Sequence, residues 1–217
     1  MTLGIIRVLT TQDQTLLEEH GRLLEQEYGL SSISRCISEQ EHGIFDQRSE
    51  AIAVPKIIAL GQSFQQAGCQ AIFLSCAADP GLEQLRQAVT IPVISAGSAC
   101  ARIAASLKLP VAVIGIGGQA PAPFRRLLGE TVAYARPDGV TQTTDLLTPE
   151  GKESAFACAR QLYDNGAKAI AFSCTGLSTI ALASRIRQEI GCVAIDAVSA
   201  AGMFAIEWLG SPASSSR

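Results

Sequence analysis

No apolar run in the sequence approaches the ~20 residues needed to span a bilayer, and the first residues carry no basic segment ahead of an apolar signal core. The expectation is a cytoplasmic protein with no membrane partner. Aromatic residues are scarce, at 5%, and the formal net charge is -3, which leaves neither a stacking platform for bases nor a basic field for phosphates. Nucleic acid is thereby excluded and a small molecule becomes the expected partner. Among seven cysteines there is no C-x-x-C pair. An odd number without that spacing argues against a disulfide framework and against the common zinc sites. No metal is expected, and the thiols read as reduced, most of them buried as small hydrophobes.

What is present is enough for a sizeable core: 217 residues, 47% of them hydrophobic. One stretch occurs twice, as Gly68-Cys69-Gln70-Ala71-Ile72-Phe73-Leu74-Ser75-Cys76 and as Gly166-Ala167-Lys168-Ala169-Ile170-Ala171-Phe172-Ser173-Cys174. The match continues, because Ile94-Ser95-Ala96-Gly97-Ser98-Ala99 resembles Ile195-Asp196-Ala197-Val198-Ser199-Ala200. A period near ~100 residues is too long for a solenoid and suits a duplicated half-domain. Each half reads as strand, cysteine, helix, strand, small-residue helix, and a pseudo-two-fold axis would set Cys76 and Cys174 on either side of one cleft.

In chain order, Leu3 to Leu9 predicts a strand, Thr10 to Asp13 the cap of a helix, and Leu30 to Ile37 a serine-rich strand. Residues 38–48 form a polar connection long enough to act as a lid. A helix from Glu50 to Ala67, the Cys76 strand, a helix opened by Asp79-Pro80-Gly81, a strand Ile91 to Ile94 and a helix Ser98 to Leu107 follow. The second half repeats the order: strand Pro110 to Ile114, helix Pro123 to Leu128, strand Thr131 to Ala135, helix Pro149 to Asn165, then the Cys174 strand. Helix Ser178 to Ile190, strand Cys192 to Ile195, helix Ser199 to Leu209 and a disordered tail at 211–217 complete it. Alternating strands and helices predict an α/β fold with two flavodoxin-like lobes, each holding a four-stranded parallel sheet. Ligand is expected beyond the carboxyl ends of the strands, at the lobe interface.

Cysteine acts as a base only as thiolate, and its pKa falls at a helix N-terminus. Cys76 and Cys174 both precede expected helices, so each is expected to take a proton as thiolate or return one as thiol. Two such groups on opposite faces of a carbon invert it. On these residues the chain resembles the cofactor-independent aspartate/glutamate and hydantoin racemases, over nearly its whole length. Ser75-Cys76-Ala77-Ala78-Asp79-Pro80-Gly81-Leu82 is similar to the first-cysteine motif of the hydantoin branch, and Ser173-Cys174-Thr175-Gly176 to the second.

The resemblance implies pseudo-symmetric lobes, no pyridoxal phosphate or other cofactor, and an N-terminal lobe of residues 1–97 completed by 199–217, with 98–198 as the second lobe. It also implies that Cys76 and Cys174 are the acid/base pair, with Thr175 and Gly176 donating to the substrate. The chain departs from the family pattern at Arg7-Val8-Leu9-Thr10-Thr11, where a Gly- or Asn-rich loop is usual. It departs again at Ile116-Gly117-Gly118, where hydantoin racemases tend to have threonine. The substrate is therefore left as an amino acid, a hydantoin or a dicarboxylic acid with an acidic hydrogen beside a carbonyl or carboxylate. A decarboxylase or cis-trans isomerase of a small diacid, and a non-enzymatic carboxylate clamp, are the alternatives; a homo-oligomer is left open.

Other candidates carry two readings each. Arg7 either holds a substrate carboxylate or forms an ion pair at a sheet edge. Asp79 orients substrate or caps the helix after it. Thr10 and Thr11 line the cleft or cap the first helix, while Ala77, Gly117 and Gly118 offer backbone to the substrate. His20 is placed on a charged, solvated helix face and His42 in the polar loop. Gly115-Ile116-Gly117-Gly118-Gln119-Ala120 matches the dinucleotide pattern G-x-G-x-x-A, with Asp138 further on, but Pro121 and Pro123 crowd the helix start. A glycine turn offering amides to a small carboxylate fits the repeat better.

Overall fold

The computed structural model describes residues 1–209; the tail expected at 211–217 lies outside them. Strands β1 (Thr2–Arg7), β2 (Ser31–Cys36), β3 (Ala71–Ser75) and β4 (Val93–Ser95) form one parallel sheet in the order β2-β1-β3-β4. Strands β5 (Val111–Ile114), β6 (Ala133–Ala135), β7 (Ala169–Phe172) and β8 (Val193–Ile195) form another in the order β6-β5-β7-β8. The two orders are the same, so the repeat read from the sequence is a repeat of topology. The cysteine strands β3 and β7 occupy equivalent central places, and both are buried along their whole length, as strands covered on two faces must be.

The helices are α1 (Gln14–Tyr28), α2 (Gln47–Gln66), α3 (Leu82–Ala88), α4 (Ala96–Ser106), α5 (Ala122–Leu128), α6 (Pro149–Asp164), α7 (Gly176–Thr179), α8 (Leu182–Glu189) and α9 (Ala197–Leu209). Helix α9 crosses back from the second sheet to pack on α1, α4 and strands β3 and β4. Its small residues permit this, since a Cβ at Gly202 would fall 2.4 Å from the Tyr28 ring. Tyr28 in turn shares a hydrogen bond with Ser199 at 2.7 Å.

Two sequence expectations change in detail. The single helix expected over 178–190 is two, α7 and α8, because Ala181 takes a left-handed φ of 52° between them. Asp79, also left-handed at φ 58°, does not cap the helix that follows it. Its carboxylate reaches over to the start of α4, accepting from the Gly97 and Ser98 amides at 2.9 Å each and from the Ser95 and Ser98 hydroxyls. In the other half Asp196 accepts from the Val198 and Ser199 amides at the start of α9 and from the Ser178 hydroxyl of α7. The halves thus exchange parts: in one the aspartate comes from the cysteine loop and the serine from the strand end, in the other the reverse. Either way a carboxylate satisfies the unpaired amides of a helix N-terminus and ties it to a cysteine loop.

Candidate active site

Parallel register sets the first half of the site. Arg7, the last residue of β1, lies beside Ser75, the last of β3, and Cys76 follows. In the second half the Ser173 amide donates to the Ile114 carbonyl at 2.8 Å, which holds Cys174 beside the loop after β5. The strand ends converge, and Arg7, Ser75, Cys76, Ala77, Ser173, Cys174, Thr175 and Gly176 line one cavity between the lobes. The Thr175 hydroxyl donates to the Ser75 carbonyl at 3.3 Å, sewing the two cysteine loops together. No side chain fits at Gly97, where a Cβ would fall 2.2 Å from the Ala77 carbonyl oxygen; the Cys76 loop rests directly on α4.

Arg7 is buried in an inner strand, so its ion-pair reading at a sheet edge does not hold. Its Nη1 donates to the Leu16 and Leu17 carbonyls of α1 at 2.7 and 3.0 Å, and the residue lines the cavity. Burial, only partly offset by Glu19 and Cys36, brings its pKa down to about 10. It remains a cation at neutral pH. Among the described lining residues it is the only permanent charge, and Val8, Leu9, Leu16, Ile44, Ile116 and Leu147 make the remaining wall largely apolar.

Both thiols are buried, and this reverses the expectation of depressed pKa values. Burial pushes Cys174 up to about 11, although the amides of Gly176 and Leu177 and the Thr143 hydroxyl favour its thiolate. Burial pushes Cys76 up as well; only the Ala78 amide opposes it, while Cys174, Asp79 and Glu50 add to the rise. Amides at the start of α7 act on Cys174 as foreseen, whereas Cys76 has only a loop amide, because α3 begins at Leu82; on both sulfurs desolvation is the larger effect. Cys174 is the more easily ionised of the two.

Several expected site residues lie elsewhere. Thr10 donates to the Ile37 carbonyl at 2.6 Å and accepts from the Gln40 amide at 2.8 Å, so its hydroxyl is spent folding the loop after β2. Thr11 accepts from the Asp13 amide, and Asp13 is the cap of α1. Asp79 is committed to α4, as described. Gly117 and Gly118 open onto a separate surface groove with Arg136 and Asp138. The Gly117 carbonyl accepts from the Tyr134 hydroxyl at 2.8 Å, turning that loop outward. His42 is exposed.

Three site residues were missed. His20 is fully buried, not solvated, because it falls four positions after Leu16 and four before Leu24, on the apolar face of α1. Thr143 stands in a 3-10 turn (Thr143–Leu147) that no hydrophobic period announced. Ile44 brings one residue of the 38–48 loop to the cavity wall, while most of that loop lines a separate groove and is held by the Gln40 side chain, which donates to the Gly43 and Ser49 carbonyls. The cavity measures about 50 Å³, below the roughly 300 Å³ of a typical ligand pocket.

Gly43 is the contact point, with φ of +72° and an added Cβ only 2.7 Å from the Thr143 hydroxyl. Gly43→Ala is expected to displace Thr143 from Cys174 and cut kcat about 10–100-fold, the worth of one hydrogen bond to a charged group. Steady-state kinetics alongside thermal melting checks this; wild-type kcat in a folded variant would separate the loop from Cys174.

Two matched α/β lobes share one cavity at their strand ends, and the relatives that this chain matches are named as racemases, which are isomerases. The chain belongs to the Asp/Glu/hydantoin racemase family, whose model matches residues 16–205. It is 27% identical over 169 residues to hydantoin racemase from Rhizobium meliloti, covering 74% of this chain and 69% of that protein. Its fold is similar to allantoin racemase from Klebsiella pneumoniae (TM-score 0.80, 22% identity, 97% of this chain and 89% of that one). It is also similar to allantoin racemase from Pseudomonas fluorescens (TM-score 0.77, 19% identity, 100% and 95%). Among the described residues no helix is long and apolar enough to cross a membrane.

Proposed function

We propose that this protein racemises a hydantoin-type ring, allantoin included, at the carbon beside a ring carbonyl, using Cys76 and Cys174 as a two-base pair. The observation that carries this reading is the cavity itself: two thiols from equivalent strand ends, one cation, and no carboxylate among the described lining residues. An α-amino acid would bring an ammonium group with no anionic partner there. A neutral ring with an acidic hydrogen needs only apolar walls and donors for the charge that develops on its carbonyl oxygen.

In the reaction one cysteine thiolate takes the ring-carbon proton and becomes a thiol, while the electron pair moves onto the carbonyl oxygen as an enolate. The facing thiol then delivers its proton to the opposite side of the carbon, the carbonyl re-forms, and that cysteine is left as thiolate. Arg7 and the Ala77 amide would stabilise the enolate, which is where electrostatic catalysis counts most, since the Thr175 hydroxyl is engaged by the Ser75 carbonyl and the Gly176 amide by Cys174. The test is chiral chromatography of single enantiomers of a 5-substituted hydantoin, of allantoin, of aspartate and of glutamate. Ring substrates racemising above their spontaneous rate, with both amino acids inert, is expected. Turnover of the amino acids with inert rings would overturn the substrate class.

A raised thiol pKa sets a pH dependence. The thiolate is the active base, so kcat/KM for the enantiomer that uses Cys174 should climb through neutral pH toward the Cys174 pKa near 11, the rise being curbed once Arg7 begins to lose its charge near 10. Stability should run the other way. Unfolded cysteine ionises near ~8.5, so the stability of the protonated buried thiols is fully present below that pH and is lost as pH rises toward their folded values. A rate plateau near neutral pH would contradict the assignment.

A further inference from the structure

One buried side chain has no role in the chemistry above. His20 is fully buried, with Nδ1 2.6 Å from the Ser75 hydroxyl and Nε2 2.9 Å from the Thr179 hydroxyl. Ser75 immediately precedes Cys76, and Thr179 closes α7, the short helix that begins two residues after Cys174. One imidazole therefore ties the strand end bearing the first thiol to the helix behind the second. The Thr179 hydroxyl donates toward the Thr175 carbonyl at 3.4 Å. That pattern assigns the ring proton to Nε2 and leaves Nδ1 to accept from Ser75. Burial and the nearby Arg7 charge hold the ring pKa well below its ordinary value, so the bridge stays neutral.

The tie is not a requirement of the repeated fold. Ser173, equivalent to Ser75, donates instead to the Ile114 carbonyl of its own sheet at 3.1 Å. The histidine bridge belongs to one half only and stands beside the Thr175–Ser75 tie between the two cysteine loops. Misplacing a reacting group by about 1 Å costs on the order of 10²-fold in rate.

We propose that His20 is a positioning residue that bridges the two cysteine loops and sets the thiol-to-thiol spacing that inversion requires. The proposal rests on the two-thiol reading above. Two substitutions each keep half of the bridge: the His20→Asn amide reaches the Ser75 hydroxyl alone, and the His20→Gln amide the Thr179 hydroxyl alone. Each is compared with the unmodified protein on a single hydantoin enantiomer in deuterated water, with thermal melting as the check on folding. The readouts are kcat, KM and the ratio of deuterium exchange into unreacted substrate to inversion.

Both variants should lose about 10²-fold in kcat with KM little changed, and the exchange-to-inversion ratio should rise. The thiolate still removes a proton, but the facing thiol delivers one less often. Folded variants with an unchanged ratio, whatever their kcat, overturn the proposal, because a packing role would not move it. If neither variant folds, Thr179→Val carries the test by removing one tie while keeping the ring. The same rise is expected there, and an unchanged ratio is again fatal. Failure of the two-thiol reading would show separately, as turnover that survives replacement of Cys76 and Cys174.

Discussion

Replacing Cys76 or Cys174 by serine lowers racemisation of a hydantoin enantiomer by about 10²–10⁴-fold, the usual worth of a positioned acid or base. A serine hydroxyl is too weak an acid either to ionise to a base at neutral pH or to give up its proton to the enolate as a thiol does. Each variant therefore keeps proton exchange on one face of the carbon at most and loses inversion. The two variants should not be equivalent. Cys174 is favoured as thiolate by the Gly176 and Leu177 amides and by Thr143, whereas Cys76 has one amide and adverse charges around it. Cys76→Ser should therefore retain exchange of the proton that faces Cys174, without inverting the carbon. Cys174→Ser should retain much less. Chiral chromatography gives the inversion rate and proton NMR in deuterated water gives exchange; wild-type inversion in either variant would remove that cysteine from the mechanism.

Asp79→Ala destabilises the protein by about 2–4 kcal/mol, since it leaves buried donors at the start of α4 without an acceptor. At ~2–4 °C per kcal/mol for a chain of this size, the melting temperature falls by roughly 5–15 °C. Burial raises the Asp79 pKa despite four donors, so desolvation of the carboxylate outweighs its hydrogen bonds; deleting it nevertheless orphans the Gly97 and Ser98 amides. Alanine must also hold the left-handed backbone at φ 58°, which costs about 1–2 kcal/mol for a residue with a Cβ. Asp79→Asn keeps the shape and one acceptor, and should lose less. A calorimetric scan of both decides the matter, and equal, small losses would show that α4 caps itself by other means.

The repeat around Cys76 and Cys174 made the fold readable, because a strand that enters Ser-Cys twice at a constant offset can only be a duplicated half with matched strand ends. Even β2 was recovered, although its serines obscure any alternation of burial. What failed was whatever depends on contacts between distant residues. His20 sits among glutamates in the sequence, and only its spacing from Leu16 and Leu24 marks it as buried. Asp79 looked like the cap of the next helix because a cap is a local pattern, whereas its partner is the helix after that. Gly117 and Gly118 follow a central strand, as site glycines often do, yet the Tyr134 hydroxyl from β6 turns them away. The thiol pKa values were misjudged for the same reason: helix position is visible in sequence, and desolvation is not.

Initial-rate racemisation in deuterated water bears most directly on a pair of opposed thiols. Starting from one pure hydantoin enantiomer, deuterium should accumulate in the inverted product while recovered starting material stays protonated, because one sulfur removes hydrogen and the other supplies solvent-derived deuterium. Equal labelling of both enantiomers from the first time points would mean a single base working on both faces, and would contradict the mechanism.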